Sequence, residues 1–119
     1  MQPLFLAGSW VPAARERTVL SPWSFEPAGV IGEADDGLVE RALAAADEAR
    51  ARLAAQPTHA RRALLDAIAQ GIARRRDELA SVIMREAGKP ITLARAEVDR
   101  AVQTFRLGSE ECTRLGGEA

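Results

Sequence analysis

A chain of 119 residues with 16 Lys and Arg against 17 Asp and Glu has room for about one small domain, and its formal charge of −1 excludes the net basic field that nucleic acid or an anionic membrane surface requires. Hydrophobic residues make up 47% and charged residues 28%, too apolar a balance for a disordered chain. Cys112 is the only cysteine, the start Met-Gln-Pro-Leu-Phe-Leu-Ala-Gly lacks the basic segment and apolar length of a signal peptide, and no apolar run reaches the roughly 18 to 20 residues of a membrane span, so the expectation is a cytoplasmic protein without disulfides.

Leu4-Phe5-Leu6-Ala7 and Trp10-Val11 flank Gly8-Ser9, a short turn able to take positive φ, so residues 3 to 20 read as strand, turn, strand, ending on Thr18-Val19-Leu20. The two prolines of Ser21-Pro22-Trp23-Ser24-Phe25-Glu26-Pro27 mark a connector, and Gly29 to Ala34 reads as a short strand. Asp35 and Asp36 offer N-cap oxygens for a first helix from about 36 to 54, whose narrow apolar face is mostly alanine. Pro57-Thr58 closes the next loop and caps a second helix with Leu64, Leu65, Ile68 and Ile72 on one face and Gly71 weakening its end. Asp77 caps a third helix with Leu79, Val82 and Ile83 inward. That helix stops at Gly88, where glycine supplies a left-handed cap and Pro90 bars continuation. A fourth helix, about 91 to 115, carries Ala94, Val98, Ala101, Phe105, Gly108, Cys112 and Leu115 at steps of four and three, and Gly116-Gly117 ends it. Four of these seam residues are small, which suits close packing inside a larger body. The expected fold is mainly α with a short N-terminal β-hairpin, in one unit without internal repeats.

Candidate chemistry is sparse. Cys112 sits on the apolar seam beside Glu110 and Glu111 near a helix C-terminus, where the dipole disfavours a thiolate, so it reads as structural. His59, the lone histidine, reads as an exposed first-turn residue with no second imidazole to build a metal cluster. Arg74-Arg75-Arg76 is followed at once by Asp77-Glu78 and reads as a solvated helix junction. Glu97 shares a face with Leu93 and Ala101 and needs a cation if it is half-buried; Lys89, Arg95 and Arg100 are the candidates, for a salt bridge that fixes the Gly-Lys-Pro corner. No glycine cluster forms the strand, loop and helix of a phosphate cradle. The sequence therefore assigns no catalytic, cofactor-binding or metal residue.

Phe5-Leu6-Ala7-Gly8-Ser9-Trp10-Val11, the Ser21-Pro22 turn, and above all Glu86-Ala87-Gly88-Lys89-Pro90-Ile91 with Ala94-Arg95-Ala96-Glu97-Val98-Asp99-Arg100-Ala101 and Thr104-Phe105 resemble, in order and spacing, the N-terminal segment of the aldehyde dehydrogenase superfamily. Members acting on lactaldehyde, glyceraldehyde phosphate without phosphorylation, or small semialdehydes are the most similar. The resemblance implies that residues 1–119 are the N-terminal portion of an α/β cofactor domain, with hairpin and connector over 1–34 and a helical layer over 35–119. It implies NAD or NADP for the complete enzyme and none in this chain, and the remainder of an aldehyde dehydrogenase as partner. The family's mechanism uses a cysteine nucleophile, an oxyanion-holding asparagine and a water-activating glutamate. This chain has no asparagine, and the segments for the nucleophile, base and dinucleotide loop would lie beyond residue 119. Some members hold a monovalent cation near this corner, which implies carbonyls of Val19 or Leu20 and the Glu86 carboxylate as ligands. The alternative expectation is a helical interaction module that self-associates through the Ala94 to Leu115 seam. On the fragment reading, the faces bearing Leu64, Ile68, Val98 and Phe105 should not all be covered internally, and a compact monomer would favour the module.

Overall fold

A computed structural model describes residues 3–114 of the protein. Packing divides the chain into two units, Met1–Ala55 and Gln56–Ala119.

In the first unit, β1 (Leu4–Leu6) and β2 (Ser9–Val11) pair antiparallel with Phe5 opposite Trp10. The turn is Ala7-Gly8 and not the expected Gly8-Ser9, because both central residues of a two-residue hairpin need positive φ; they hold 50° and 84°, and Ser9 opens β2. The expected single hairpin over residues 3 to 20 is also corrected. β3 (Arg15–Leu20) pairs instead with β4 (Pro27–Glu33), Arg15 opposite Glu33, so the strands form two separate antiparallel pairs. The supposed connector is the closed loop that makes this possible. Ser21 Oγ accepts from the N–H groups of Trp23 and Ser24 at 3.3 Å each, Ser21 N–H donates to Glu26 O at 2.8 Å, and Phe25 N–H donates to Ser21 O at 2.9 Å. Arg17 Nε reaches Glu33 Oε1 across the ladder at 2.9 Å. The chain then enters α1 (Asp36–Ala54), with the expected bounds and the expected cap: the Asp35 carboxylate accepts from Leu38 N–H at 2.8 Å. No residue of α1 is buried.

The second unit holds α2 (Thr58–Arg74), α3 (Arg76–Ala87) and α4 (Ile91–Glu111). Two expected caps are corrected. Thr58 is already inside α2, and the cap is Pro57, whose extended backbone presents its carbonyl to the N–H groups of Ala60 and Arg61. Asp77 is the second residue of α3; a single residue, Arg75 (φ −104°, ψ 19°), separates α2 from α3 and leaves no position for a capping side chain. α2 continues past Gly71 to Arg74. α3 ends as expected on Gly88 at φ 64°, and Pro90 O accepts from Ala94 N–H at 2.9 Å to start α4.

The helix proper of α4 stops at Glu111 with Cys112 as its cap; the expected end at Leu115 and Gly116-Gly117 lies outside the described residues. Its seam packs against both α2 and α3. Ala80 and Ala94 are fully buried, Val98 is 3% exposed, and Ile72, Leu79, Ile83 and Ile91 pack around them. Val102 and Ser109 are buried too, although the steps of four and three pass over them. At Gly108 a Cβ would stand 3.6 Å from Leu65 Cδ1, an ordinary van der Waals contact, so the seam runs beside α2 there without requiring glycine. Two of the seam residues, Ala94 and Val98, are buried, and Ala101, Phe105, Gly108 and Cys112 are half-buried, so α4 commits part of the seam within the unit. Val98 is covered after all, whereas Leu64 is 48% exposed, because the inward face of α2 runs through Leu65, Ile68, Ala69 and Ile72.

Candidate functional site

The Gly88-Lys89-Pro90 corner turns the chain from α3 into α4, and charged side chains tie the two helices together around it. Lys89 Nζ donates to Glu97 Oε2, two turns into α4. Of the three candidate partners for Glu97, the structure selects Lys89. Arg95 points elsewhere, its Nε donating to Asp77 Oδ1 at 2.9 Å, and Arg100 contributes only through its field. The Lys89 ammonium holds the Glu97 carboxyl below the usual carboxylate range, first by hydrogen bonding and then by charge.

A second tie was not legible. Arg76 grips Asp99 with two parallel hydrogen bonds, Nε to Oδ1 and Nη2 to Oδ2, both 2.6 Å. Arg76 also lies 3.6 Å from Asp77, so Arg95, Asp77, Arg76 and Asp99 form one chain of charges from the start of α3 to the middle of α4. The bidentate hydrogen bond lowers the Asp99 pKa and raises that of Arg76. The expected solvated arginine run is therefore corrected at Arg76, which is half-buried and paired across helices. Arg75 keeps a local partner, Glu78, at 2.8 and 2.6 Å. Twenty-three positions separate Arg76 from Asp99, and no local spacing rule links them.

The chemistry of this cluster is structural. Glu97 and Asp99 are held anionic and each is engaged by a cation, which makes them poor proton acceptors near neutral pH. Cys112 is half-buried at the C-terminal cap of α4, and His59 is exposed in the first turn of α2. Among the described residues, no group of three His, Cys, Asp or Glu could hold a metal ion, and no helix is long and apolar enough to cross a membrane. Val19 and Leu20 lie on β3 and Glu86 on α3, in different units, and the cation expectation rests on the resemblance alone.

One strand-to-helix joint is ill suited to a dinucleotide phosphate. Among the described residues, the strand-to-helix joint is Glu33-Ala34-Asp35-Asp36, where the Asp35 carboxylate occupies the helix N-terminus and Asp36 adds charge in the first turn. A phosphate would meet like charge where it needs free N–H donors.

The family model for the aldehyde dehydrogenase family matches residues 10–119. The chain belongs to the aldehyde dehydrogenase family. It is 38% identical over 100 residues to an aldehyde-dehydrogenase-like protein of Sinorhizobium fredii, covering 84% of this chain and 20% of that protein. Against the 3-sulfolactaldehyde dehydrogenase of Priestia megaterium it is 31% identical over 115 residues, 97% of this chain and 24% of that one. The NADP-dependent glyceraldehyde-3-phosphate dehydrogenase of Bacillus halodurans superimposes with a TM-score of 0.94 at 28% identity, covering 98% of this chain and 25% of that chain. The chain thus spans a fifth to a quarter of the length of these aldehyde dehydrogenases. Its four helices and antiparallel strand pairs are elements of the aldehyde dehydrogenase fold.

Proposed function

We propose that this chain is the N-terminal scaffold of the cofactor domain of an NAD(P)-dependent aldehyde dehydrogenase, whose complete form oxidises a small aldehyde or semialdehyde to the acid. The carrying observation is the near-complete match of the chain, in sequence and fold, to a quarter of such enzymes. Relatives named for 3-sulfolactaldehyde and lactaldehyde support a small, oxygenated aldehyde as substrate class. On this reading the corner and its ion pairs set the angle between α3 and α4. Nucleophile, base and dinucleotide cradle belong to the remainder of the enzyme, which is the partner. The remainder also supplies the hydride acceptor site; this chain's residues position helices and touch neither aldehyde nor cofactor.

Alone, the chain should be inactive. Purified protein mixed with NAD or NADP and short aldehydes should yield no reduced-nicotinamide absorbance, and turnover above buffer would overturn the assignment of a purely scaffolding part.

A further inference from the structure

We draw no further inference here: the strongest candidate, the pair of exposed aromatic side chains Trp23 and Phe25 on the loop between β3 and β4, is an apolar surface patch, and nothing in the structure shows what covers it.

Discussion

Gly88 shows how much one residue decides. At φ 64° it holds a conformation that β-branched side chains avoid, and everything after it depends on the turn it makes. Gly88→Val should lower stability by about 1 kcal/mol or more, read as a fall in the midpoint of chemical or thermal unfolding. An unchanged midpoint would mean that α3 does not end there. Asp35 is the second such residue. Because α1 has no buried residue, its helicity leans on the cap, and Asp35→Ala should cost about 1 kcal/mol of helix stability, visible as lost far-ultraviolet ellipticity. Both residues were legible because a cap and a left-handed stop are local facts. Thr58 and Asp77 misled for the same reason in reverse. Each is a good cap by type, but Pro57 and Arg75 hold the cap positions through their backbones, and backbone angles at a helix junction are not written in side-chain type.

At the scale of elements, α3 and α4 are joined by side chains that local rules find only in part. Lys89 and Glu97 lie eight positions apart around a recognisable corner, whereas Arg76 and Asp99 meet only once the helices have packed. The strands repeat the lesson. Strand-forming segments were recognisable, but their partners were not, because Ser21 turns the chain back on itself and assigns β3 to β4. These ties carry a pH signature. Glu97 and Asp99 have pKa values below the ordinary carboxylate range, so the unfolded chain binds protons first as pH falls. Their stabilisation is complete above the unfolded carboxylate values and is lost as pH descends through the folded ones. The thermal midpoint should therefore be flat from about pH 7 to pH 5 and fall below about pH 4. Asp99→Asn should lower the midpoint at neutral pH and flatten the acid decline. A variant with the parent's acid profile would show that the Arg76 to Asp99 tie contributes nothing to that slope.

For the whole molecule, the balance of covered and uncovered apolar surface matters most. Trp23 is 87% exposed, Phe5 and Trp10 stack edge to face at 5.1 Å near the surface, and Leu64, Leu93 and Leu107 face outward. The resemblance made open apolar surface foreseeable in these residues taken alone, because it implies further segments packed against the helices. It could not say which residues stay open, since Val98 and Leu64 differ only in which neighbour the helices bring. The isolated chain should accordingly bind a hydrophobic dye or self-associate, and light scattering that shows a compact monomer without dye binding would contradict this.

The central claim is that this chain is a scaffold that an aldehyde dehydrogenase needs and that cannot act alone. Reduced-nicotinamide formation by a folded chimaera in which this full chain replaces the 115 matched residues of the Priestia megaterium 3-sulfolactaldehyde dehydrogenase, with 3-sulfolactaldehyde as substrate and the isolated chain beside it, tests it most directly. The account predicts turnover by the chimaera and none by the chain. A folded chimaera without turnover, or turnover by the 119 residues on their own, would contradict it.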